Sequence, residues 1–360
     1  MTQTFKDMEQ LQQWLNQFSH PHLIEQWASV KNMVRVTADG TFNIEIPFAD
    51  AELNLRLTEW LETQKEAGQY PDGIQFSVST KVATLAVHGT PAVKGIKNII
   101  AISSAKGGVG KSTTAVNLAL ALELQGAKVG MLDADIYGPS VPMMLDAEEL
   151  KPQPAKSEKG MHPVEAYGLY TNSIGYLVPA DNATVWRGPM ASKALHQMLS
   201  ETIWPDLDYL IIDMPPGTGD IQLTLSQNIP VTSAVVITTP QDLALADAIK
   251  GVTMFDKVEV PVLGVVENMS YHICSHCGHQ EAIFGTGGAI KMAKAMDLPL
   301  LAQLPLDIQI RSDIDARQPT VIAAPESEAS LHYLGLAATI AARLYWQGEV
   351  VADQISFTAV

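Results

Sequence analysis

Apolar and polar positions follow two different rhythms along this chain, and the change falls near residue 90. Before it the period shifts every few residues. Phe5, Met8, Leu11, Leu15 and Phe18 recur at helical spacing and predict an amphipathic helix over 4–18. Residues 33–37 and 42–46 alternate around Ala38-Asp39-Gly40, which predicts a hairpin. Leu53, Leu57, Trp60 and Leu61 mark one face of a helix over 51–67, and strands are expected at 74–79 and 82–87. These elements predict a small α+β domain over 1–90.

A turn-rich linker follows at 91–97. Beyond it, short apolar runs alternate with longer amphipathic stretches. The runs at 98–103, 127–132, 207–212, 232–237, 261–266 and 300–304 read as buried strands. Such alternation predicts an α/β domain over 98–347, with a mostly parallel sheet covered by helices on both faces. A ligand then belongs at the C-terminal ends of the strands. Residues 151–160 read as a surface loop, 328–346 as a closing helix and 348–360 as a tail. There is no internal repeat, which excludes a tandem ATPase with two phosphate loops.

Composition narrows the function. About half of the residues are apolar and the formal net charge is −16, which describes a globular chain with ample core. That charge argues against nucleic acid as a partner, because such binding needs clustered Lys and Arg to displace counterions. It equally disfavours an anionic membrane surface. The first residues show no charged-then-apolar leader, and no segment holds the 18 or so continuous apolar residues of a membrane helix. A cytoplasmic location is expected, and there the two cysteines stay reduced unless they bind metal.

The first chemistry sits after the run 98–103. Ala105-Lys106-Gly107-Gly108-Val109-Gly110-Lys111-Ser112 joins a predicted strand to a predicted helix, the context of a P-loop. Its glycines let backbone N–H groups of Gly107 to Thr113 point inward at phosphate oxygens, and the helix N-terminus adds positive charge. Lys111 is placed to reach the β- and γ-phosphates of ATP, and Ser112 to ligate Mg²⁺. Ala105 and Lys106 depart from the usual motif. They resemble the deviant P-loop of dimeric ATPases such as the nitrogenase iron protein and the septum-positioning ATPases.

Three later strand ends add to this. Asp133-Ala134-Asp135-Ile136-Tyr137-Gly138-Pro139-Ser140 suits a switch loop, with one carboxylate to position water and the other to support Mg²⁺. Asp213 follows an apolar strand in the Walker-B manner, and Pro215-Pro216-Gly217-Thr218-Gly219 after it suits a γ-phosphate sensor. Asn268 ends the run 261–266, and its amide can pair with an adenine edge.

The last signal is Tyr271-His272-Ile273-Cys274-Ser275-His276-Cys277-Gly278-His279. Its Cys-x-x-Cys spacing lets two thiolates hold one metal, yet a soft site needs four ligands and the chain has no further cysteine. His272, His276 or His279 completing a zinc site is one solution. Two chains each giving two thiolates to a [4Fe–4S] cluster on a two-fold axis is another. A redox dithiol and an unligated pair are the remaining readings.

Together these motifs resemble the Mrp/ApbC family of iron–sulfur cluster carrier ATPases. The likeness runs from about residue 96 to about 345 and includes Trp186-Arg187-Gly188-Pro189 and Ile283-Phe284-Gly285. It implies a homodimer with ATP and Mg²⁺ in each subunit. It also implies a [4Fe–4S] cluster bridged by Cys274 and Cys277 of both subunits, received from scaffold donors and passed to apo-protein acceptors. Lys106 is then the lysine that reaches across the dimer, Asp135 the water-positioning carboxylate, Ser112 and Asp213 the Mg²⁺ residues, and Asn268 the adenine contact. The N-terminal unit resembles a small assembly-factor domain, but the cysteine that free versions often carry is absent from 44–50, so docking is its expected role. The rival readings are a positioning ATPase of the ParA/MinD kind and a zinc-stabilised regulatory scaffold with a vestigial ATPase.

Overall fold

The computed structural model of the protein describes residues 5, 7–71, 73–87, 90–156, 159–177, 188–274 and 276–351, without the side chains of Gly188, Pro189 and Asp220. Trp186, Arg187 and most of the tail therefore lie outside the described residues.

In the N-terminal unit, α1 (Met8–Leu15) starts where the Asp7 carboxylate accepts the Gln10 N–H. It is shorter than the predicted 4–18. Asn16 ends it by turning its amide to the next turn, accepting from Ala28 N–H and donating to Gln26 and Ser29. The hairpin forms as expected, with β1 (Val34–Val36) antiparallel to β2 (Phe42–Ile46). Asp50 caps α2 (Ala51–Glu66), whose Leu53, Leu57 and Leu61 are buried. Next, β3 (Phe76–Thr80) pairs in parallel with β2. The strand expected at 82–87 is absent from the ladder. Its backbone groups are shared out instead: Asn98 accepts from Leu85 N–H at 3.2 Å and donates to the Ala83 carbonyl at 2.9 Å, and Ala86 N–H donates to the Glu349 carbonyl beside a single Leu85–Val350 bridge.

The larger unit opens with β4 (Ile96–Ser103), α3 (Lys111–Leu124), β5 (Val129–Asp133) and the short α4 (Val141–Met144). An excursion follows: β6 (Gln153–Pro154), β7 (Met161–His162), β8 (Val164–Ala166), β9 (Leu169–Ser173), α5 (Ile174–Leu177) and α6 (Gly188–Glu201). The alternation then resumes with β10 (Leu207–Asp213), α7 (Asp220–Asn228), β11 (Ser233–Thr238), α8 (Asp242–Lys257) and β12 (Val262–Ile273). The chain continues through β13 (Gln280–Glu281), α9 (Gly288–Ala295), β14 (Leu300–Leu306), α10 (Ile308–Asp315), α11 (Thr320–Ala323) and α12 (Glu328–Gln347).

The sheet order is β13-β12-β11-β4-β10-β5-β9-β8, with β14 beside β12. Pairings from β14 across to β9 are parallel, and β13 and β8 add antiparallel edges. β8 and β9 were not expected, because they are short and half polar. One apolar layer lies under α3 and α12 and runs without a break into the N-terminal unit, from Leu11 and Trp14 to Leu344. The seam is also polar: Trp346 donates its indole N–H to the His22 carbonyl, and Ala51 N–H donates to Gln125. The opposite layer packs α6 to α9 on the other face. Among the described residues, no helix is long and apolar enough to cross a membrane.

Candidate functional site

The phosphate loop forms where the sequence places it. Gly108 and Gly110 both sit at φ +81°, backbone that a side chain disfavours. Gly110 has a second reason to be glycine: a Cβ there would strike the amide nitrogen of Asn268. That nitrogen donates to the Val109 carbonyl at 2.8 Å, so β12 braces the loop from beneath. Val109 is buried behind the loop.

Lys106, Gly107, Gly108, Gly110, Lys111, Ser112 and Thr113 line one side of a cleft of about 210 Å³. Asp135, Ser140 and Pro216 face them from the two switch loops. The volume is below the roughly 300 Å³ at which pockets for whole small molecules begin, which suits a phosphate chain with sugar and base outside. Lys106 is exposed at the rim.

Beneath the loop lies a buried charge cluster. Lys111 pairs with Asp213 Oδ1 and lies 3.2 Å from Ser112 Oγ. The other Asp213 oxygen is buried and has no partner among the described residues. An orphaned carboxylate oxygen beside a lysine and a serine hydroxyl fits a Mg²⁺–phosphate group, whose hydrated ion supplies the missing donors.

Asp133 stands opposite Asp213 in the β5–β10 register. It differs in being fully engaged: its oxygens accept from the N–H groups of Asp135, Ser140 and Val141 and from Ser173 Oγ. It therefore ties down the switch loop. Burial, with Asp213 alongside, pushes Asp133 up to about 7. Asp135, half-buried at the cleft, is also raised by burial, with Lys111 opposing. The second switch loop is clamped by Gln222, which donates to Ser103 Oγ and to the Pro215 carbonyl, while Gly217 N–H donates to the Ser104 carbonyl.

The cysteines occupy a turn between β12 and β13. Gly278 N–H donates to the Cys274 carbonyl, and Cys274 N–H to the His279 carbonyl. Cys274 is half-buried and Cys277 exposed. Backbone N–H groups of His276 and Cys277 hold the Cys274 thiol below the ordinary cysteine range. Among the described residues, no histidine joins the two cysteines in a three-ligand group. Ser275 lies outside the described residues.

Three parts of this site had no role assigned from the sequence, although Glu267 and Met269 belong to the run Glu267-Asn268-Met269 that carries part of the family resemblance. Ser173 anchors Asp133 from β9, a strand that went unrecognised. Glu267 is buried and accepts from Ser270 Oγ and Gln303 Nε2, giving β12 a polar spine toward β14. Met269 sits at φ +56° where the β12–β14 register breaks, a kink between Asn268 and the cysteines. No residue type in the sequence announces that kink.

The model of a ParA-group family described as NUBPL iron-transfer P-loop NTPase matches residues 95–341. An iron–sulfur cluster carrier protein of Escherichia coli is 58% identical over 352 residues, covering 96% of this chain and 95% of its own length. The iron–sulfur cluster transfer protein NUBPL of Dictyostelium discoideum is 47% identical over 253 residues, covering 70% of this chain and 78% of its own. Among solved structures, a nucleotide-binding protein of Archaeoglobus fulgidus in complex with ADP is 36% identical, with a TM-score of 0.57, covering 65% of this chain and 90% of its own.

Proposed function

Because the chain belongs to the NUBPL iron-transfer P-loop NTPase family, we propose that it binds and hydrolyses ATP and carries a [4Fe–4S] cluster between proteins. One observation carries this reading. β12 touches the phosphate loop through Asn268 and ends at Ile273, directly before Cys274, six residues or about 20 Å further along the chain. A change at the phosphate site has a direct covalent route to the thiols.

The cluster is cargo, held by Cys274 and Cys277 of two subunits, because two thiolates per chain fill only half of its ligand set. Among the described residues no histidine converges on the pair, which weighs against the zinc scaffold. The relatives' names favour carriage over positioning. A homodimer is supported by exposed apolar side chains that follow strands: Tyr137 on the loop after β5, Leu243 in the first turn of α8 after β11, and Ile283 after β13. Along the chain, Tyr137 is two residues past Asp135 and Ile283 six past Cys277, so exposed apolar residues neighbour both sites.

Within each subunit, the Gly107–Thr113 loop cradles the phosphates and Lys111 transfers its charge from Asp213 to them. Ser112 and Asp213 would hold Mg²⁺, directly or through water, which neutralises charge building on the phosphates. Asp135 positions the attacking water, and its half-buried carboxylate sits across the cleft from Lys111. Lys106 reaches into the partner's cleft. Asn268 gives one amide hydrogen to the Val109 carbonyl, which leaves its carbonyl oxygen and its second N–H for adenine. Residues 1–90 dock cluster donors or apo-protein acceptors, and 98–347 carry nucleotide and cluster.

Cluster transfer to an apo-enzyme, followed by recovery of that enzyme's activity, tests this. Transfer should depend on ATP and be lost in Lys111→Ala. Equal transfer by the parent with and without ATP, or parent-level transfer by Lys111→Ala, would contradict the coupling.

A further inference from the structure

We propose that His20, His22 and Asp50 form a binding site for a divalent first-row transition-metal ion, separate from the cysteine pair. One ring nitrogen of each histidine and one oxygen of Asp50 lie within 4.8 Å of one another. Among the described residues this is the only group of three or more His, Cys, Asp or Glu side chains so placed. Pro21 between the histidines fixes the turn, and the two rings lie 5.1 Å apart, centroid to centroid.

Two of the three ligands are already set. His22 Nδ1 lies 2.6 Å from Asp50 Oδ2. Asp50 is fully buried, and its other oxygen accepts the Leu53 N–H at 3.0 Å. His22 Nε2 lies 3.3 Å from Thr339 Oγ1 on α12. A carboxylate can only accept, so the hydrogen of this contact sits on His22 Nδ1. A proton fills that place in the metal-free protein, and a metal ion would displace it to solvent. Thr339 then acts as the outer partner that fixes the ring, as ligating histidines commonly have. His20, the third ligand, must close in, and the His22–Asp50 contact must open to about 3 Å to admit the ion.

The donor set names the class of ion. Two imidazoles and one carboxylate suit Zn²⁺, Fe²⁺, Co²⁺ or Ni²⁺ over soft Cu⁺ or hard Mg²⁺ and Ca²⁺. Three protein ligands leave room for water. An entry path exists: an open groove of about 560 Å³ along α12 reaches His22 and Thr339, with Tyr271 and His332 further along it. A bound ion would tie the N-terminal turn to the start of α2 and, through Thr339 and the Trp346–His22 hydrogen bond, to α12.

The test uses the full chain carrying Cys274→Ser and Cys277→Ser, stripped of metal and titrated with Co²⁺ and then Zn²⁺. One Co²⁺ per chain should bind, with ligand-field absorption and no thiolate-to-cobalt charge-transfer band. Adding His20→Ala should weaken binding about tenfold or more with circular dichroism unchanged, and His22→Ala should do the same. His332→Ala lines the same groove outside the triad and should bind as the parent does. No saturable binding in the double-serine protein, full affinity in His20→Ala, or loss in His332→Ala would each overturn the site.

Discussion

Lys111 has a partner that it must give up when phosphate arrives. In the nucleotide-free protein it neutralises Asp213, a carboxylate with no exposure to solvent. Removing one member of such a pair leaves a buried charge and costs roughly 3–5 kcal/mol. Lys111→Ala should therefore unfold at lower urea than the parent, besides losing nucleotide, and Asp213→Asn should cost less. Equal stability of Lys111→Ala and the parent would contradict the pairing. The neighbouring Asp133 titrates out of range for the same reason, burial beside another carboxylate. Its carboxyl carbon signal should move with a midpoint near about 7 in the nucleotide-free protein. Asp213→Asn should bring that midpoint down. The sign for stability follows. The folded state keeps a proton that the unfolded chain releases above 3.8, so this group's contribution is full below that pH and is lost as pH rises to about 7. At the cysteines the shift runs the other way. Donors from His276 and Cys277 favour the Cys274 thiolate, so its alkylation by iodoacetamide should reach half-maximal rate at a lower pH than that of a free cysteine, about 8.5.

At the scale of elements, β12 links the two chemistries, and its kink is the point to disturb. Met269 holds a left-handed backbone that β-branched residues tolerate poorly. Met269→Val should cost about 1–2 kcal/mol in denaturant unfolding and change how nucleotide affects the cysteines' reactivity, whereas Met269→Gly should retain stability. The same strand shows what the sequence could and could not disclose. Its apolar first half, 262–266, was plain, and so were the carboxylates at the ends of β5 and β10, because buried parallel strands carry unbroken apolar runs that stop at the functional edge. Its second half, 267–273, mixes Glu, Asn, Ser, Tyr and His, and reads as a loop until Gln303 and the β14 ladder satisfy its polar groups. The strand expected at 82–87 fails for the converse reason. It has the pattern, but its backbone bonds are divided among Pro47, the Asn98 side chain and the segment 349–351, so it makes only a single bridge, Leu85 to Val350, and no ladder. His20, His22 and Asp50 carried no signal either, since a gap of 28 residues separates ligands that only the fold brings together.

At the scale of the whole molecule, the N-terminal unit shares one apolar core with the face under α3 and α12. Phe48 packs against Tyr345 and Trp346, and Trp346 is bonded to His22. The chain should thus unfold in one transition, and a fragment starting at residue 98 should expose apolar surface and bind a hydrophobic dye that the full chain does not. Two separate transitions would contradict the shared core. In the proposed homodimer, the second subunit meets the strand-end side, which holds the phosphate cleft. The decisive measurement is iron and acid-labile sulfide per dimer after anaerobic reconstitution and size separation, for the parent, Cys274→Ala and Cys277→Ala. The parent should give about four of each per dimer, and either substitution should abolish both the loading and the dimer-bound chromophore. Iron loading unchanged by the substitutions, or one zinc held per separate chain, would contradict a cluster shared between two subunits.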